Sequence, residues 1–352
     1  MELFANYYKE RDFKNINKLK EIMTHLPLFC DEYFRGIEIK TTPLTRLGYA
    51  QDLKLFFHFL TTELIEFSDK KVRELTLDDL SSLTATHLEI YLNYLSGYYF
   101  ENKYYSNDAR AKARKLSAVR SLLKYFFKKE KITSNVASKI DTPKIRDKEI
   151  IRLEVDEVVK LLDMAETPNA NFSKRQTSYN KITQKRDIAM LTLMLGTGIR
   201  VSECVGLNVE DIDFNVNGFK VTRKGGGQVI LYFSDEVADA LHEYLEERLS
   251  DEKVPKNERA LFLSLQHKRL GVRAVEKLVK KYSEACIPLK HITPHKLRST
   301  YGTNLYRETG DIYIVADVLG HKDVNTTKKH YAAISEDARR SVAGKVVLRD
   351  KE

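Results

Sequence analysis

The chain has 352 residues, 42% of them hydrophobic and 31% charged, which suits a soluble globular protein of about two domains, each with its own core. Its formal net charge of +9 favours a polyanionic partner. Three scattered cysteines (Cys30, Cys204, Cys286) exclude a disulfide framework and a zinc spacing, the charged N-terminus lacks the apolar core of a signal peptide, and no apolar run approaches the ~18–20 residues of a membrane span.

Residues 1–40 read as one or two helices, with Leu19, Ile22, Met23 and Leu26 at helical spacing. Thr42 as N-cap and Pro43 in the first turn open a clearer helix bearing the stripe Tyr49, Leu53, Phe56, Phe57 and Leu60. Another is expected from Thr84, with Leu88, Tyr91, Leu92 and Leu95. The next, from Asp108 to about Lys129, should bury Leu116, Val119, Leu123, Phe126 and Phe127. Its first half carries Arg110, Lys112, Arg114, Lys115 and Arg120. Residues 101–150 hold 14 Lys and Arg against 6 Asp and Glu, so nearly the whole charge excess lies there. Cations at a helix N-terminus oppose the macrodipole, so the cluster is read as contacts to an external anion such as a DNA backbone.

Periodicity fades from Ile132 to Glu149, and Thr142-Pro143 with the charges after it reads as a linker. The expected organisation is a helical domain over 1–145, a linker over 146–152 and a second domain over 153–352. The second opens with the amphipathic helix VDEVVKLLDMAE, followed by a long polar loop over 167–185. An apolar helix from Asp187 to Leu195 ends at Gly196-Thr197-Gly198, and Arg200 opens the next. Phe219–Arg223 and Val229–Phe233 alternate as a hairpin around Lys224-Gly225-Gly226-Gly227. The lone lysine at that glycine-rich tip has freedom to move. Cys204 reads as a buried thiol.

The stretch Thr293–Tyr331 carries the densest chemistry. His295 and Arg298 lie three apart and so share a helix face. His321 follows Gly320, where the apolar helix of Ile314, Val315, Val318 and Leu319 should end. Tyr331 comes ten residues later. Two histidines, an arginine and a tyrosine are parts for moving a phosphate group without a metal, and neither histidine has neighbours at zinc-ligand spacing. Tyr301, Tyr306 and Tyr313, in helices of the same stretch, read as core packing.

TGIRVSE (197–203), TPHKLRSTYGTNL (293–305) and LGHKDVNTTKKHY (319–331) together resemble the tyrosine site-specific recombinases of the phage integrase family. The resemblance covers the chain from about Thr42 onward and is most like the Xer-type recombinases that act alone in some Gram-positive bacteria. It implies a mainly α fold with a small antiparallel β-sheet in the C-terminal domain: a helical, SAM-like core DNA-binding domain ahead of a catalytic domain. It also implies roles. Arg200 and Arg298 match the two arginines that hold the scissile phosphate. Tyr331 matches the nucleophile that forms a 3′-phosphotyrosine. His295 matches the general acid/base, His321 the second, supporting histidine, and Lys224 the hairpin lysine that protonates the departing 5′-oxygen. Lys220 and Arg223 are weaker competitors for the role of Lys224. Glu203 is implied to orient an arginine. The chain departs from many members in having Ser299 after the second arginine and ten residues between His321 and Tyr331, which leaves local geometry open.

No cofactor, metal or ATP is expected, because bond energy is conserved in the phosphotyrosine. The implied partners are double-stranded DNA with a specific site and further copies of the chain, a homotetramer on two duplexes joined through the C-terminal helix DARRSVAGKVV. A DNA translocase is a candidate partner, no membrane is involved, and the expected place of action is the cytoplasmic nucleoid. The preferred biological role is chromosome dimer resolution. Integration or excision of a mobile element is the alternative, and a DNA-binding protein without catalysis is a third reading.

Overall fold

The computed structural model describes residues 7–145, 151–167, 174–223, 226–321 and 324. The chain divides into two compact units, Met1–Lys148 and Glu149–Glu352. The first contains α1 (Tyr7–Met23), α2 (Phe29–Gly36), α3 (Pro43–Glu63), α4 (Leu77–Ser82), α5 (Ala85–Tyr94), the strands β1 (Tyr98–Phe100) and β2 (Lys103–Tyr105), and α6 (Ala109–Lys128).

Helix α3 is the axle of this unit. Thr42 Oγ1 accepts from Thr45 N at 3.2 Å, and Pro43 occupies the first turn, where its missing N–H leaves no intrahelical bond unmade. Ala50, Leu53, Leu55, Phe56, Phe57, Phe59 and Leu60 are all buried, which is more than one stripe. A helix apolar on several sides belongs inside. Tyr91 packs edge-on against Phe56, and α6 adds Leu116, Val119, Leu122, Leu123 and Phe126. Each such large side chain contributes on the order of 1.5–3 kcal/mol by burial. Phe127, expected in that stripe, is 45% exposed, because the buried face runs instead through Val119, Leu122, Leu123 and Phe126. The β1–β2 hairpin has no counterpart among the expected elements. Its turn is Glu101-Asn102, both at positive φ, and Tyr98 pairs with Tyr105. A positive-φ pair without glycine gives a hairpin little signature.

The second unit contains α7 (Val155–Glu166), α8 (Lys174–Thr197), α9 (Val201–Cys204), β3 (Ile212–Asp213), β4 (Gly218–Thr222), β5 (Gln228–Tyr232), α10 (Asp235–Ser250), α11 (Val272–Cys286), α12 (Pro294–Thr309) and α13 (Ile312–Leu319). The sheet is antiparallel in the order β3-β4-β5, with Phe219 opposite Leu231 and Val221 opposite Val229. Helix α8 corrects the expected loop over 167–185, since it begins at Lys174. Its early buried face is polar: Asn180, Thr183 and Asp187. Asp187 accepts from Thr183 Oγ1 at 3.1 Å and Tyr282 Oη at 2.9 Å, while Lys281 Nζ donates to Asn180 Oδ1 at 2.7 Å. A helical face built on hydrogen bonds carries no apolar periodicity to read. Tyr301 and Tyr306 pack beside Val315 and Leu319, but Tyr313, expected in the core with them, is 70% exposed. The C-terminal helix expected after Ser335 lies outside the described residues, as does most of the expected linker.

Candidate functional site

Helix α13 begins on Asp311, whose carboxylate accepts from the N–H groups of Tyr313 and Ile314. It ends at Gly320, in the left-handed conformation at φ 60°. Gly320 N donates to Asp317 O at 2.8 Å and His321 N to Ala316 O at 2.9 Å, a Schellman closure that favours glycine. The carbonyls of Val318, Leu319 and Gly320 must then be satisfied from outside the helix.

Each takes a guanidinium from a different arginine. Arg223 Nη2 donates to Val318 O at 2.7 Å, Arg298 Nη2 to Leu319 O, and Arg200 Nη2 to Gly320 O at 3.0 Å. Arg298 is buried and also donates through Nη1 to Gly198 O at 2.5 Å, so it ties the turn after α8 to the end of α13. Gly198 sits at φ 61° with Tyr301 packed where a Cβ would stand, so this turn needs glycine for both reasons. A carboxylate joins the group on one side. Buried Glu203 accepts from Arg200 N at 3.1 Å and Arg200 Nη1 at 2.9 Å.

The electrostatics follow from this donor set. Helix C-termini carry partial negative charge, so cations are favoured there. Carbonyls hold a guanidinium in place without cancelling its charge. Burial lowers the Arg223 guanidinium from its ordinary value; Glu203 and Asp317 oppose that shift, while Arg200 adds to it. Three guanidiniums held largely by carbonyls concentrate positive charge here, a donor set chemically suited to an oxyanion. Cys204 next door is not a reactive thiol: burial, helped by Glu203, pushes it up to about 12.

The structure thus brings Arg200, Glu203 and Arg298 together, with His321 directly after Gly320. His295 lies exposed on the first turn of α12, one turn before Arg298, and its carbonyl accepts from Ser299 Oγ at 3.0 Å. Lys224 and Tyr331 lie outside the described residues. The sequence marks Arg223 only as a competitor of Lys224, and its place beside Arg200 goes unread there. Its bond to α13 joins residues 95 apart, and the one hint is a second cation beside the hairpin-tip lysine.

The α6 cluster has internal partners that the sequence does not reveal. Asp52, 2% exposed, accepts from Arg114 Nη1 at 2.5 Å and Lys115 Nζ at 3.5 Å. Arg120 donates to Ala137 O at 3.2 Å, Thr142 Oγ1 at 2.6 Å and Ile140 O. Lys112 Nζ reaches Ser96 Oγ at 2.6 Å, and Arg110 is exposed. Lys115 and Arg120 therefore have an internal reason to sit on this helix, and no external anion is needed to explain them. Among the described residues no group of three or more His, Cys, Asp or Glu could hold a metal ion, and no helix is long and apolar enough to cross a membrane.

Residues 151–337 match the phage integrase family. The chain is 32% identical over 305 residues to the tyrosine recombinase XerC of Caldanaerobacter subterraneus subsp. tengcongensis, covering 84% of this chain and 79% of that one. It is 30% identical over 357 residues to the tyrosine recombinase XerS of Lactococcus lactis subsp. cremoris, covering 95% and 99%. Its fold resembles that of the XerH site-specific recombinase bound to a palindromic difH substrate in a post-cleavage complex, with a TM-score of 0.61 at 19% identity over 86% of this chain and 80% of that one.

Proposed function

The chain belongs to the phage integrase family, and on that premise we propose that the arginine cluster at the end of α13 is the site that grips the scissile phosphate. As a tyrosine recombinase the protein cuts and rejoins DNA at specific sites. The observation that carries the site reading is the set of guanidiniums on three consecutive carbonyls.

Arg200 and Arg298 hold the non-bridging oxygens and offset the extra negative charge of the pentacoordinate transition state. Tyr331 Oη attacks phosphorus and His295 takes its proton. A phenol with an ordinary pKa near 10 needs both the base and a phosphate already neutralised by cations. The P–O5′ bond breaks as the P–O(Tyr) bond forms, and Lys224 gives a proton to the leaving 5′-oxygen. His321 hydrogen-bonds the phosphate, and Glu203 holds Arg200 in place. A 5′-hydroxyl of the partner duplex then reverses the step and releases the tyrosine. Because one phosphoester replaces another, the cycle consumes no ATP.

Residues 1–145 would supply a DNA-gripping unit, with Arg110 and Arg114 exposed on its helix and Lys112 between them. Residues 153–352 would form the catalytic unit, joined by 146–152. Four copies would assemble on two duplexes, in the cytoplasm on the nucleoid. Near-full-length likeness to XerS supports chromosome dimer resolution as the role.

The test is a suicide DNA substrate, nicked near the cleavage point and taken from a footprint on host chromosomal DNA. Wild type should give a covalent adduct on a denaturing gel and Tyr331→Phe none. An adduct that persists in Tyr331→Phe names another nucleophile, and a tightly bound site without any adduct overturns the catalytic reading.

A further inference from the structure

Arg223 stands at the edge of the hairpin loop. Its N–H donates to Gly227 O at 2.7 Å and its carbonyl accepts from Gly226 N at 3.0 Å. The side chain reaches across to the end of α13, where Nη2 is fixed on Val318 O. Its other two nitrogens, Nε and Nη1, are shielded from water and make no hydrogen bond among the described residues. That is an unusual state, since buried donors are nearly always paired and an unpaired one is destabilising. A guanidinium so placed, beside Arg200 and in partial shelter, is a poor device for stability. It suits an anion that arrives later, once a small local shift uncovers Nε and Nη1, because the charge is already in place. Gly320 fits the same account: a Cβ there would overlap Arg223 Nη1, so the glycine keeps that nitrogen's place open.

We propose that Arg223 is a third guanidinium of the phosphate site, donating from Nε and Nη1 to the oxyanion that Arg200 and Arg298 hold. The identity of that anion as a DNA phosphodiester rests on the recombinase reading, whereas the anion site itself does not. Arg223 is then a catalytic residue in the same sense as the other two arginines.

Two measurements on the full chain test this. Inorganic phosphate should raise the melting temperature of wild type and of the surface control Lys253→Ala alike, and raise that of Arg223→Ala by at most about half as much, because a weaker site gives less linkage. An equal rise in wild type and Arg223→Ala, or no rise in either, overturns the proposal. Should the alanine variant not fold, Arg223→Lys keeps the charge but loses the fork, and its phosphate response should also fall. A response equal to wild type in Arg223→Lys counts against the two-nitrogen contact.

With the suicide substrate, Arg223→Ala should form adduct about 10²–10³-fold more slowly than wild type, the range for removing one oxyanion donor. A neutral methylphosphonate at the scissile position needs no such cation, so there the variant should match wild type. Rescue instead by sulfur in place of the leaving 5′-oxygen would mean that Arg223 serves proton delivery, and the proposal fails. If wild type forms no adduct while Arg223→Ala still loses the phosphate response, the recombinase reading fails and the anion site stands.

Discussion

Two regions of this molecule gather cations, and they differ in how the cations are gathered. On α6, Arg114 and Lys115 converge on the buried carboxylate of Asp52, and Arg120 is tied to the loop that follows. A carboxylate fixes a cation and cancels its field at once. At the end of α13 the holders of Arg223, Arg298 and Arg200 are the carbonyls of Val318, Leu319 and Gly320, with Glu203 adding a charged partner for Arg200. Carbonyls fix without cancelling. Acceptor type alone does not sort them, since Arg120 also rests on carbonyls and Arg200 also has Glu203. What marks the end of α13 is three guanidiniums converging on consecutive carbonyls with a single carboxylate among them, a distinction invisible in a count of Lys and Arg.

The comparison breaks most visibly through two arginines with opposite expected effects. Arg200→Ala should lower the rate of adduct formation about 10²–10³-fold, as expected for loss of an oxyanion donor, with the fold intact by circular dichroism. Arg120→Ala should do the reverse. It loses its local hydrogen bonds to Ala137, Thr142 and Ile140, which costs stability on the order of 1–3 kcal/mol, while cleavage at saturating DNA stays close to wild type. If Arg120→Ala abolishes cleavage in a well-folded protein, or Arg200→Ala only destabilises, convergence on the end of α13 does not mark the working cations.

A smaller effect sharpens the second region alone. Gly310 and Gly320 both end helices in the left-handed conformation, at φ 65° and 60°. Around Gly310 nothing lies within 4 Å of where a Cβ would stand, whereas Gly320 faces the Arg223 guanidinium. Gly310→Ala should therefore cost only the backbone strain, of order 1–3 kcal/mol by chemical denaturation. Gly320→Ala should cost that and also slow cleavage, because Arg223 must move. Equal stability losses and equal cleavage in the two variants would show that the crowding at Gly320 has no consequence.

Much of this is legible in the sequence where local rules decide. Thr42, Thr84 and Asp108 cap their helices through side-chain oxygens, and Gly320 closes α13 as its apolar run ends. The motifs mark Arg200, Glu203 and Arg298, and these meet in space. What stays hidden is decided by long-range partners. Asp52 is 62 residues from Arg114, and Arg223 is 95 from Val318, so neither pairing has a spacing to read. The first half of α8 is hidden for a different reason, since its buried face is polar.

The smallest expected effect concerns the balance inside the α6 cluster. Burial raises the Asp52 carboxyl from its ordinary value of 3.8, against the pull of Arg114 and Lys115, and burial likewise lowers Lys115. A carboxyl raised on folding supports the fold below its unfolded value and withdraws that support as pH climbs through the folded one. The window therefore opens just above 3.8 and extends upward. Denaturation of wild type and Asp52→Asn across it should show wild type losing ground relative to the variant as pH rises, whatever their absolute order. The opposite slope would mean that the two cations outweigh burial. Asp52 would then be a carboxylate held ionised at no cost, and α6 would have its charge cancelled even more completely than the hydrogen bonds suggest. Either way the slope measures how much of the α6 charge is neutralised from within, which is the quantity that sets it apart from the end of α13.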